Sequence, residues 1–125
     1  MKAVVQRVSE ASVTVDGDVV GKIEAGFLIL LGVANDDTQQ DVIWLAGKVA
    51  GLRVFEAADD KMNLDLREVG GAALVVSQFT LAADTSRGNR PGFSSAASPA
   101  VGERLYSYFV KQLQSLDVSV AKGRF

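Results

Sequence analysis

The 125-residue chain contains no cysteine and no histidine, and only two prolines. Without thiols there is no disulfide framework, no thiolate nucleophile and no sulfur ligand for zinc, and without imidazole no side chain titrates near neutral pH at its ordinary value. Chemistry on this chain must use hydroxyls, carboxylates, amines, backbone groups or the substrate itself. An excess of one charge is missing too: 13 Lys and Arg against 15 Asp and Glu leave a net charge of -2. That balance creates no global field for nucleic acid, although a local basic patch fits within it. Long apolar runs are absent. The longest, Phe27 to Val33 with Gly32 inside it, is far too short for a bilayer, and Gln6, Arg7 and Glu10 interrupt the stretch where a signal peptide needs continuous apolar residues. These absences point to a cytoplasmic chain with no membrane partner and no metal or other cofactor.

What is present suits a packed domain. Apolar residues make up 48% and charged residues 22%, enough to bury a core. No repeat, low-complexity tract or Pro-rich linker divides the chain, which is read as one domain over residues 1–125. Val-rich Met1 to Ser9 predicts a strand, and Val13, Val15, Val19 and Val20 around Asp16-Gly17-Asp18 predict a hairpin, with its returning strand over Val20 to Ile23. Phe27 to Val33 is apolar on both faces, as a central strand covered on each side requires.

Helix signals follow. Thr38 with Asp41 three positions on has the form of a capping box, and Val42, Leu45, Ala46, Val49 and Leu52 recur at helical spacing, predicting a helix over about 38–52. Arg53 to Glu56 reads as a strand, residues 57–71 as a polar loop, and Ala72 to Val76 as a strand running into Ser77-Gln78-Phe79-Thr80-Leu81. Residues 84–98 read as loop, and Ser98-Pro99 then opens a second helix, over about 99–115, with Val101, Leu105, Tyr108, Phe109 and Leu113 on its buried face. Val118 to Ala121 closes the pattern as a short strand.

Three segments are candidates for chemistry. Ser77-Gln78-Phe79-Thr80 follows a buried strand, where a rigid scaffold exposes polar groups; local pattern alone favours a plainer role, Ser77 and Thr80 bonding to nearby backbone as the strand ends. A hydroxyl with no adjacent base is also a poor nucleophile. Lys61-Met62-Asn63 offers an adaptable apolar wall and a hydrogen-bonding edge, or simply a plug over the core. Arg87-Gly88-Asn89-Arg90-Pro91-Gly92-Phe93 sets two guanidinium groups beside an aromatic, suiting phosphate contact and base stacking, or else forms a solvated loop. Arg7 lies among apolar neighbours, with the solvent face as its default. The carboxylates are dispersed and no glycine motif for phosphate is present.

Taken together, Ala3-Val4-Val5-Gln6-Arg7-Val8, Ala11-Ser12-Val13, Leu30-Leu31-Gly32-Val33, Lys61-Met62-Asn63, Ser77-Gln78-Phe79-Thr80-Leu81 and Arg90-Pro91-Gly92-Phe93 resemble, in order and spacing, the D-aminoacyl-tRNA deacylases. The resemblance implies an α+β fold, layered β/β/α, with mixed sheets and two main helices. It implies a cytoplasmic homodimer that hydrolyses the ester joining a D-amino acid to the 3′-terminal adenosine of tRNA, and glycyl-tRNA mischarged on tRNA-Ala, as translation quality control. No DNA partner is expected. The absent imidazole fits a route in which the ribose 2′-hydroxyl beside the ester assists attack by water while the protein positions and polarises.

By the same resemblance, backbone amides near Phe79 and Thr80 hold the aminoacyl group and its carbonyl oxygen, within the substrate-binding stretch Ser77 to Thr80. Met62 walls the adenosine and aminoacyl pocket, Arg7 braces the chirality filter, and Arg90 belongs to a substrate-binding loop in which Gly92 stands where the family usually has Ser. The family's filter is a C-terminal Asn-x-Gly-Pro-x-Thr segment; Lys122-Gly123-Arg124-Phe125 matches only the start of its final stretch. A second reading makes this chain a catalytically silent module that binds tRNA ends or a protein partner, and turnover separates the two.

Overall fold

The computed structural model describes residues 1–82, 86 and 88–125. Strands β1 (Lys2–Val8) and β2 (Ala11–Val15) lead into β3 (Asp18–Ile23), β4 (Gly26–Gly32) and helix α1 (Gln39–Gly51). Short strands β5 (Phe55–Glu56) and β6 (Met62–Leu64) precede β7 (Ala72–Ser77), a 3-10 turn (Phe79–Ala82), helix α2 (Pro99–Ser115) and β8 (Ser119–Lys122).

The main sheet has the order β1-β4-β7-β8, with β1 antiparallel to β4 and the other two pairs parallel. Apolar residues on both faces of β4 place it in the interior, as its continuous hydrophobic run predicts. Phe27, Ile29 and Leu31 join Ala73 and Val75 of β7 in a core shared with Val42, Ala46 and Val49 of α1 and Leu105, Phe109 and Leu113 of α2. On the opposite face the β2–β3 hairpin packs over β7 and β8, where Leu74 lies against Gly21. The layers are therefore hairpin, main sheet and helix pair, the β/β/α order implied by the resemblance. The hairpin turns through Asp16 (φ 50°) and Gly17 (φ 83°), a pair of left-handed residues whose twist matches that of the strands they join.

At the start of α1 the Asp41 carboxylate accepts hydrogen bonds from the Thr38 backbone N–H at 2.8 Å and its hydroxyl at 3.2 Å. At α2 the Ser98 hydroxyl accepts from the Val101 N–H at 3.4 Å, with Pro99 entering the first turn. The buried stripe of α2 is wider than the spacing predicts. Tyr106, Val110 and Gly102 are buried, while Val101 and Tyr108 are only partly so, because the helix is wedged between the sheet and α1.

One expectation needs correction. Residues 57–71 are not loop throughout, since β6 pairs antiparallel with β5 across a bulge, closed by the Ala57 N–H bonding to the Lys61 carbonyl at 2.9 Å and by Asp60 at φ 61°. Three residues without β-branched alternation leave no periodic signal for that strand. The strand at Ala72 ends at Ser77, one residue past the expected Val76, and the chain then folds into the 3-10 turn. No helix among the described residues is long and apolar enough to cross a membrane.

Candidate active site

Parallel pairing brings Ser77, the last residue of β7, beside Leu31 near the end of β4. The Gln78 N–H continues that ladder by one bond to the Leu31 carbonyl, at 2.8 Å, and the chain then turns. The turn lies directly on β4. A Cβ built at Gly32 comes within 2.8 Å of the Leu81 Cβ and 3.2 Å of the Gln78 carbonyl oxygen, so the Leu-Leu-Gly-Val segment needs its glycine for this approach. A 3-10 turn has no internal acceptor for its first N–H groups, and here these are the amides of Phe79 and Thr80.

The side chains at this ledge carry little acid or base chemistry. The Thr80 hydroxyl oxygen accepts a hydrogen bond from the Gln78 side-chain amide at 2.6 Å, and an amide N–H cannot take its proton. Phe79 is 60% exposed and meets Phe93 edge to face at 5.2 Å between ring centres. Through Phe93, the Arg90-Pro91-Gly92-Phe93 segment reaches the ledge. The strip that follows is fastened to the end of β4. Asn35 N–H bonds to the Ser95 carbonyl at 2.9 Å, Ala97 N–H to the Val33 carbonyl at 3.0 Å, and the Ser95 hydroxyl to the Ala82 carbonyl at 2.7 Å. Arg90 is exposed, and Arg87 lies outside the described residues.

Behind the ledge is a cavity of about 330 Å³, lined by Ser77, Phe79, Ala97, Gly102, Arg124 and Phe125 among others. Tyr106 packs against Phe125 of that lining. The Tyr106 hydroxyl donates to the Val75 carbonyl at 2.6 Å, and burial pushes its pKa up to about 12, the Gly123 N–H opposing that rise. Arg124 and Phe125 were not singled out in the sequence. The available signal was Gly102 inside a helix, a residue costly there unless something packs close; the Phe125 ring sits 3.3 Å from where a Gly102 Cβ would be.

Arg7 and Met62 lie elsewhere. Arg7 is paired with Phe27, four residues before Leu31 on β4, and its guanidinium donates to the Val54 carbonyl at 2.7 Å. Four strand residues and two strand spacings put it roughly 16 Å from Ser77, beyond the reach of one arginine. Met62 is 61% exposed on β6, whose partner Phe55 stacks on Phe27 at the same end of the sheet as Arg7. A wider depression of about 800 Å³ also lies away from the ledge, bordered by Glu10, Lys22, Glu24 and the starts of β7 and β8, and includes none of the predicted site residues. Among the described residues no cluster of acidic side chains could hold a metal ion.

Known proteins share this sequence pattern and this fold. The chain is 55% identical to a D-aminoacyl-tRNA deacylase of Cereibacter sphaeroides and 54% identical to one of Escherichia coli, in each case over all of this chain and 86% of the relative. A Geobacter metallireducens deacylase is 56% identical over all of this chain and 83% of its own length. The solved c-Myc DNA unwinding element binding protein superposes with a TM-score of 0.93 at 37% identity, covering 100% of this chain and 85% of that one. A probable eukaryotic D-amino acid tRNA deacylase shares the fold, with a TM-score of 0.75 at 18% identity over 90% of this chain and 66% of that one. With residues 4–125 also matching the profile of the D-Tyr-tRNA(Tyr) deacylases, the chain belongs to that family.

Proposed function

We propose that the chain hydrolyses the ester of D-aminoacyl-tRNA, releasing D-amino acid and tRNA, with the Ser77–Thr80 ledge as the place where the aminoacyl end is held. The observation that carries this reading is a turn with two amides free of internal acceptors, beside an aromatic-walled cavity and without a base at its hydroxyl. Amides fixed in a rigid turn stabilise negative charge developing on an ester carbonyl oxygen at little reorganisation cost. Water is the nucleophile, and the vicinal ribose 2′-hydroxyl assists its attack. Thr80 positions and does not attack. Glycyl-tRNA mischarged on tRNA-Ala is the second substrate, and the cellular role is translation quality control in the cytoplasm.

The separation of Arg7 and Met62 from the ledge supports a homodimer. Arg7, roughly 16 Å from Ser77 within one chain, reaches a ledge only from a second copy. Val4, 49% exposed on the outer face of β1, supplies apolar surface that the hairpin leaves uncovered.

The test is release of D-tyrosine from D-Tyr-tRNA. The chain turns over, Thr80→Ala stays within about tenfold of it, and tRNA ending in 2′-deoxyadenosine is cleaved at least about a hundredfold more slowly. An inactive chain that binds tRNA ends would establish the silent module instead, and an undiminished rate on the deoxy substrate rules out assistance by the 2′-hydroxyl.

A further inference from the structure

Among the described residues, Arg124 has the one charged side chain lining the cavity behind the ledge. Among the described residues its side chain has no hydrogen bond or ion pair, although it is well anchored on both sides. The Gly123 N–H bonds to the Val75 carbonyl at 3.2 Å, and the Phe125 ring packs against Tyr106, 5.7 Å between centres, and over Gly102. The exposed Arg124 guanidinium, at the rim of a cavity whose lining includes no acidic side chain, is poised for an anion that arrives with the ligand.

The cavity's size and walls limit what that ligand is. About 330 Å³ accommodates one base and its sugar, and exposed Phe79 and Phe125, at 60% and 51%, offer faces on which a base stacks. A nucleoside bound there carries its phosphate on the sugar, away from the base and toward the rim.

We propose that Arg124 binds the phosphate linking the terminal adenosine of the tRNA to the preceding nucleotide. This rests on the reading of the ledge as a deacylase site. Arg124 is a positioning residue: its guanidinium touches neither ester nor water, and its contribution appears in binding rather than in the chemical step.

The probes are two non-hydrolysable analogues, 3′-amide-linked D-tyrosyl-adenosine with and without a 5′-phosphate, titrated against the chain, Arg124→Gln and Arg124→Lys. The phosphate is expected to tighten binding to the parent chain about tenfold, Arg124→Gln to lose that gain while binding the unphosphorylated analogue unchanged, and Arg124→Lys to recover part of it. On D-Tyr-tRNA the Gln variant raises KM with kcat unaltered, and its KM depends less steeply on salt. Equal binding of the two analogues by the parent chain overturns the assignment to phosphate while leaving the deacylase reading intact. So does equal weakening of both analogues by Arg124→Gln, which marks a packing role. Failure of both analogues to bind, with no turnover of D-Tyr-tRNA, removes the deacylase reading and this inference with it.

Discussion

At the scale of single residues, the ledge depends on small groups allowing close approach. Gly32 has no side chain between β4 and the turn, and an added methyl would lie 2.8 Å from the Leu81 Cβ. Because Leu81 belongs to the turn rather than to a flexible chain end, the strain passes to the amides of Phe79 and Thr80. Gly32→Ala is expected to lower stability by about 1–3 kcal/mol, the usual cost of overpacking. Turnover should fall about a hundredfold, because an ångström of misplacement at a positioning group has that effect. Urea unfolding and single-turnover rates measured together check this, and a variant with full activity would show that the turn does not hold the ester. Tyr106 supports β7, the strand that leads into the turn. Phe at this position removes one of the two donors to the buried Val75 carbonyl, leaving only the Gly123 N–H, and about 1 kcal/mol of stability should be lost at pH 7.

At the scale of elements, that tyrosine gives the helix-to-sheet contact a dependence on pH. Its pKa in the folded chain is about 12 against 10 unfolded, so the folded state retains its proton where the unfolded state has begun to lose it. The tyrosine's contribution is therefore fully present below pH 10 and declines as the pH rises from 10 towards 12. Denaturation midpoints should fall more steeply across this range in the parent chain than in Tyr106→Phe; identical slopes would mean that α2 is not tied to β7 through this hydroxyl. Elements with strong local signals were legible in the sequence. Thr38 with Asp41, Ser98 with Pro99, the Asp16-Gly17 turn and the apolar block of β4 each follow from nearby residues alone. The β5–β6 pair carries no such signal, and neither does the 3-10 turn after β7, whose Leu81 lies against Gly32 from a strand far earlier in the chain. Ser77 to Thr80 could be picked out because they follow a buried strand, whereas the cavity wall could not. Phe125 reaches Gly102 only after β8 has paired with β7.

At the scale of the molecule, Arg7 and the ledge lie at two ends of one sheet, so the roles proposed for them require a second copy. The pairing of Arg7 with Phe27 and of Ser77 with Leu31 is fixed by the β4 ladders, and no loop movement closes that gap without breaking the main sheet. If Arg7 acts on the ledge of a second copy, damage to the two ends should complement. A homodimer of Arg7→Ala lacks the arginine at both sites, and a homodimer of Gly32→Ala has both turns displaced. Unfolded together and refolded in equal amounts, the two variants form mixed dimers in which one site joins the intact turn of one protomer to the intact Arg7 of the other. Random assortment makes half the dimers mixed with one good site each, so about a quarter of parental turnover should return. Were Arg7 to serve the ledge of its own chain, every site in the mixed dimer would carry one lesion and the mixture would be no more active than its components. Turnover of the refolded mixture, compared with that of the two proteins mixed without unfolding, distinguishes the two arrangements.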